Sequence, residues 1–136
     1  MHRLFFDTNV LLDVLEQRSP WFPESAECLA LARHGTCSGA ITALSLSDIA
    51  YIQRATPSGK VYDTFQTLRA FLDIAPLSAA SIDASLIRRL PDMEDGFQWE
   101  AALFWKATHF ITRNVKDFPR SDSLVVQRPS EYLLTR

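Results

Sequence analysis

The sequence predicts an α/β protein, a three-layer α/β/α sandwich around a central, mainly parallel sheet of about five strands. Two observations lead there. Short apolar runs alternate with longer stretches of helical period along almost the whole chain, which is the mark of strand–helix–strand units. The chain has 136 residues, 47% of them hydrophobic, enough for one domain with a real core and no need of disulfide staples. No repeat, low-complexity stretch or linker interrupts it, so residues 1–136 are expected to form a single domain with right-handed crossovers.

The elements follow in order. Arg3 to Phe6 is a short apolar run ending at Asp7, expected as the first strand. Thr8 to Gln17 carries Val10, Leu11, Val14 and Leu15 at helical spacing. Pro23 suits the first turn of a second helix, which continues through Leu29 to Ala32 and stops near Gly35. Cys37 to Ile41 is the second strand. A helical pattern then runs from Thr42 through Leu44, Ile49 and Ile52 and ends before Pro57. Gly59 to Leu72 is helical through Val61, Phe65, Leu68 and Phe71, and Ile74–Ala75 is a short third strand. Ser78 to Leu90 and Asp95 to Thr108 are two further helices. Phe110–Ile111 and Leu124 to Val126 are the fourth and fifth strands, and Pro129 to Leu134 closes the chain as a helix.

This topology directs attention to four acids. In parallel α/β sheets, sites form beyond the carboxyl ends of the strands. Asp7 directly follows the first strand, and Asp117 lies a few residues after the fourth. Asp95 opens the helix that runs antiparallel into the fourth strand, so it starts at the same edge. Asp48 sits in the first two turns of the helix after the second strand. Four acids from distant segments are thus expected at one edge. Two carboxylates about 4 Å apart repel by roughly 4 kcal/mol at an effective dielectric of 20, so such a cluster takes up a proton or a cation. Oxygen-only ligands favour Mg2+ or Mn2+ over zinc, and such ions serve phosphodiester hydrolysis.

Each acid also has a purely structural role open to it. Asp7 suits the cap of the helix starting at Thr8. Glu94 and Asp95 suit a helix's first turn, Asp117 a turn before Pro119, and Asp48 a solvated helix face. Asp13, Asp63, Asp73, Asp83 and Asp122 show no convergence and are expected at the surface, with Asp92 an auxiliary to Asp95.

Other classes are excluded or weakened. The formal net charge of -2 argues against nucleic-acid binding by bulk charge, so any such binding must use local basic groups and bound cations. Cys28 and Cys37 lack zinc-ligand spacing and are expected as buried or half-buried thiols of a cytoplasmic protein. No signal-peptide pattern or membrane-length apolar run is present. Ser58-Gly59-Lys60-Val61 lacks the features of a phosphate-binding P-loop, and no GxGxxG occurs. Asn9 stands where a dehalogenase-type phosphatase needs a second Asp. His2, His34 and His109 suggest no Ser–His–Asp triad. A phosphoryl-receiver domain would want paired acids after the first strand and a Lys after the last, and neither is found.

Four blocks carry a family resemblance. FFDTNVLLD at Phe5 to Asp13, ITALSLSDIAY at Ile41 to Tyr51, Glu94-Asp95 with the Ala-rich helix behind them, and ITRNVKDF at Ile111 to Phe118 stand in the order found in PIN-domain nucleases. The chain resembles the small toxin members of that family, of the VapC type. The resemblance implies that Asp7, Asp95 and Asp117 ligate Mg2+ or Mn2+. It places Asp48, one methylene shorter than the family's usual Glu, as the second acid. Thr8, Asn9, Thr112 and Asn114 would orient these groups, and Arg113 and Lys116 would hold RNA phosphates. It further implies an endoribonuclease, a homodimer, and a small antitoxin partner whose tail blocks the acidic pocket. Trp21, Phe22, Tyr51, Tyr62 and Phe65 are candidates for those surfaces, with core packing as the alternative. A catalytically inactive metal- or RNA-binding module is the rival kept open by Asp48. Gly96 after Asp95, where the family often has Ala, is expected to loosen that helix's start.

Overall fold

The computed structural model describes residues 1–136. Five strands form one sheet: β1 (Arg3–Phe6), β2 (Ser38–Ile41), β3 (Leu72–Ile74), β4 (His109–Ile111) and β5 (Val125–Gln127). Their order is β3-β2-β1-β4-β5 and every pairing is parallel, with Phe5 in register with Ala40 on one side and Phe110 on the other. Seven helices connect and flank them: α1 (Thr8–Leu15), α2 (Phe22–Arg33), α3 (Ala43–Ile52), α4 (Ser58–Arg69), α5 (Ala79–Arg88), α6 (Met93–Phe104) and α7 (Pro129–Thr135).

The two-residue period of a strand divides the core in two. Leu4, Phe6, Ile41, Leu72 and Ile111 face one side and pack with α1, α2 and α3 through Val10, Leu11, Cys28, Leu29 and Ile49. Phe5, Ala40 and Phe110 face the other and pack with α6 through Trp99, Ala101 and Ala102. Phe110 is in contact with Phe5, Trp99 and Phe118, with ring centroids 5.1, 5.5 and 4.4 Å away. Strands buried on both faces must be apolar throughout, which is why Leu4-Phe5-Phe6 shows no alternation.

Element boundaries move by a few residues from expectation. Gln17 and Lys106 adopt positive φ (48° and 64°), ending α1 and α6 before the predicted Gln17 and Thr108. The third strand starts at Leu72, which the helical pattern had absorbed, because Leu72 is needed opposite Gly39 in the sheet. Gly39 is required there: a Cβ would lie 2.7 Å from Leu72 Cδ2 and 2.8 Å from Ala32 Cβ. Cys28 and Cys37 are buried free thiols, and burial pushes Cys28 up to about 12. No helix is long and apolar enough to cross a membrane.

The chain leaves β1 toward β2 and β3, then returns to the opposite side of β1 as β4. The strand order therefore reverses beside β1, and a crevice opens outside the carboxyl ends of β1 and β4.

Candidate active site

Asp7 ends β1 and caps α1, so its structural and chemical roles coincide. Its Oδ1 accepts from the Thr8 backbone N–H at 2.7 Å. Its Oδ2 accepts from Thr112 Oγ1 at 2.8 Å, across from the end of β4, and from Asn9 Nδ2 at 3.2 Å. Thr112 is itself held by the Asn114 backbone N–H at 3.0 Å. Burial raises the Asp7 carboxyl above its usual range. Hydrogen bonds from Thr112, Thr8 and Gln98 and the charge of Arg113 act in the opposite sense.

Asp95 projects from the first turn of α6. That helix starts two residues earlier than expected, because Asp92 caps it by accepting from the Asp95 backbone N–H at 3.0 Å. Asp92 therefore anchors the helix that carries Asp95. The Asp95 carboxyl is raised to about 7, first by burial and then by the charges of Asp7, Asp92 and Asp117. Asp7, Asp48, Glu94, Asp95 and Gln98 line one open cleft together with Thr8, Asn9 and Asn114. Asp117 lies on the adjoining cleft, which it shares with Asp92, Asp95, Asn114 and Lys116. Asp95 and Asn114 form the rib common to both. The four acids thus come to one edge, with Asp7 and Asp48 on one side of that rib and Asp117 on the other.

Sequence reasoning did not assign Glu94 to the site. Its carboxyl is raised to about 8, first by a hydrogen bond it shares with Asp48, then by burial and by the charges of Asp48, Asp92 and Asp7. Gln98, also missed, is 2% exposed and lines the same cleft. The available signal was spacing: residues 94, 95 and 98 share a face of α6.

One expectation is corrected. Asp13 is not at the surface but wholly buried, with Oδ2 accepting from Arg113 Nε at 2.7 Å. Helical period places Asp13 one turn after Asn9, on the face that meets the β4 loop. Arg113 is thereby held through its Nε, with its guanidinium also lying 3.9 Å over the Trp21 ring. The Thr8 hydroxyl pairs with Ser45 Oγ at 2.7 Å, tying α1 to α3, so Thr8 holds Asp7 only through its backbone. The Asn114 side chain is exposed and hydrogen-bonds no acid; its contribution is the backbone N–H on Thr112. Lys116 is exposed and forms no ion pair. Gly96 does more than loosen α6: it lets α5 approach, since a Cβ there would meet Ser85 Oγ at 2.7 Å.

A family model described as PIN domain matches residues 3–116. The chain belongs to the PIN domain family. PIN domains are generally nucleases, and the acidic edge of this one occupies the crevice where their chemistry is expected. Two solved structures share the fold. A toxin–antitoxin complex from Klebsiella pneumoniae is 22% identical, with a TM-score of 0.68 over 90% of this chain and 95% of that one. VapBC2 from Rickettsia felis, bound to a DNA fragment from its promoter, is 18% identical, with a TM-score of 0.67 over 93% and 98%. No curated protein matches the sequence.

The residues of this PIN domain fit a hard divalent cation by donor chemistry. All the donors on the cleft are oxygens, and the buried Gln98 Oε1 has no hydrogen-bond partner. No three of the acids close on a single point as their side chains stand. The Asp95 and Asp117 carboxylates accept no hydrogen bond and Asp117 is exposed, so these two are free to turn toward an ion, while Asp7 is fixed.

Proposed function

We propose that this PIN domain, comprising residues 1–136, is a divalent-cation-dependent endoribonuclease and the toxin of a toxin–antitoxin pair. One observation carries the reading: Asp7, Asp48, Glu94 and Asp95, from three separate segments, line one open cleft at the sheet's switch point, with Asp117 from a fourth on the adjoining one. Asp7, Asp95 and Asp117 would hold Mg2+ or Mn2+. A bound ion of this class lowers the pKa of water and offsets charge building on a phosphate.

The chain's own groups do the rest. Thr8, Asn9 and Thr112 hold the Asp7 carboxylate in one orientation, so no reorganisation is needed there during reaction. Asp48 and Glu94 add two further carboxyl groups to the cleft that Asp7 and Asp95 line. Lys116, exposed beside Asp117, is placed to hold an RNA phosphate. Tyr51 and Ile52 give the acidic cleft an apolar rim, 67% and 41% exposed. An antitoxin tail with basic and apolar residues fits that combination, and the fold shared with toxin–antitoxin complexes supports such a partner. Exposed Tyr62 is a candidate for a homodimer surface.

RNA cleavage with Mg2+ or Mn2+ tests the activity. Asp7→Asn should lower the rate by roughly 100-fold or more, the scale of losing one preorganised electrostatic group. Turnover by the purified chain that is indifferent to this substitution would overturn the assignment. The separation of the acids as they stand favours a second reading, a cation- or RNA-binding module without turnover. Cation-dependent RNA binding with no cleavage by the wild-type chain would select it.

A further inference from the structure

Asp48 is a short acid where a longer one would reach further into the cleft. Helix α6 supplies length: Glu94, one methylene longer, lines the same cleft as Asp48. One turn along α6, on the same face, stands Gln98. It is 2% exposed, lines the cleft beside Asp7, and its Oε1 accepts no hydrogen bond. A buried amide oxygen without a donor is unfavourable. An apolar side chain would fill a core position of α6 at lower cost, as Trp99, Ala101 and Ala102 do further along the helix. Beside Asp7 the amide oxygen lacks a donor within the fold, and a water held on a cation is such a donor.

We propose that Glu94 shares the second acidic ligand position with Asp48, and that Gln98 Oε1 accepts a hydrogen bond from a water carried by the cation. The second acidic function of this chain is then divided between two helices. This rests on the reading above only for the presence of a divalent ion in the cleft.

The test is Mn2+ binding by the full chain, followed by electron paramagnetic resonance and by calorimetric titration, with no RNA present. Glu94→Gln should weaken Mn2+ binding about 10-fold or more, and Gln98→Leu by about 10-fold, the range seen when groups supporting a metal are removed. Adding Asp48→Glu to Glu94→Gln should restore most of the affinity, because the longer acid then reaches alone. Wild-type Mn2+ affinity in Glu94→Gln, or no recovery in the double variant, overturns the proposal. Asp7→Asn serves as the control that separates the two readings. If it abolishes Mn2+ binding while Glu94→Gln and Gln98→Leu leave it intact, the cation site stands without this extension. If Asp7→Asn also binds as wild type, the cation reading falls with it. Gln98→Leu also removes the hydrogen bond that Gln98 gives Asp7, so its melting temperature without Mn2+ is read beside its affinity: weaker Mn2+ binding with an unchanged melting temperature supports the contact with the ion, and a fall in both overturns it.

Discussion

Asp13 and Arg113 show how a single pair changes the meaning of a motif. From sequence, Arg113 within ITRNVKDF faces a substrate and Asp13 faces solvent. In the fold they neutralise each other beneath the β4 loop, with the Asp13 side chain fully buried and the Arg113 side chain 20% exposed. Removing one partner leaves a buried charge, so Arg113→Ala should lower folding stability by about 3–5 kcal/mol in urea denaturation. Asp13→Ala combined with Arg113→Ala should cost less than the sum of the two single changes. Lys116→Ala, in contrast, should leave stability within about 0.5 kcal/mol and weaken RNA binding only. A loss below about 1 kcal/mol for Arg113→Ala would show that the ion pair does not anchor the loop. What was legible here was the aspartate that ends β1. What was hidden was the partner of each charge, since Asp13 and Arg113 are brought together only by the β1–β4 pairing.

At the scale of elements, the site depends on where helices begin. Asp7 caps α1, Asp92 caps α6, and Thr42 precedes α3, so the start of each helix that carries an acid lies at the carboxyl edge of the sheet. The alternation of strand and helix made that arrangement readable, and the structure follows it. The ends were less readable. Positive φ at Gln17, Arg89 and Lys106, none of them glycine, terminates α1, α5 and α6 without the usual residue signal. Close approach between layers was also unreadable. Gly39 lets β2 pass under Ala32 of α2 and beside Leu72 of β3. Gly39→Ala should therefore lose about 1–3 kcal/mol by overpacking, measured as a shift in denaturation midpoint, although Ala is the better-tolerated residue in most strands. An unchanged midpoint would mean that Ala32 and Leu72 move aside freely.

For the whole molecule, gathering acids at one edge links stability to pH. Asp95 and Glu94 hold their protons up to about 7 and about 8 in the fold, against 3.8 and 4.5 as ordinary values. The folded state therefore binds protons that the unfolded chain has released. These two groups make the cation-free protein less stable as pH rises from about 4 to about 8. His109 acts in the opposite direction: burial lowers it from 6.5 to about 4, so it costs stability as pH falls through that range. The difference between wild type and Asp95→Asn isolates the carboxyl contribution. The variant should gain thermal midpoint relative to wild type as pH rises from about 4 to about 7, and Mg2+ should narrow the gap by raising the wild-type value. A gap that stays constant across that range would show that repulsion at this edge is not felt by the fold.

The sequence by itself determined the layer architecture, the strand that ends in Asp7 and the edge to which the acids come. Apolar period and chain direction are local properties, and they set which end of each element meets the crevice. Only the tertiary structure decided which polar groups are partners. It joined Arg113 to Asp13 and Thr8 to Ser45, set Glu94 and Asp48 on one cleft, and left the Gln98 oxygen buried without a donor. Those pairings depend on distances of a few ångströms between elements far apart in the chain. Patterning along one segment carries no information about them.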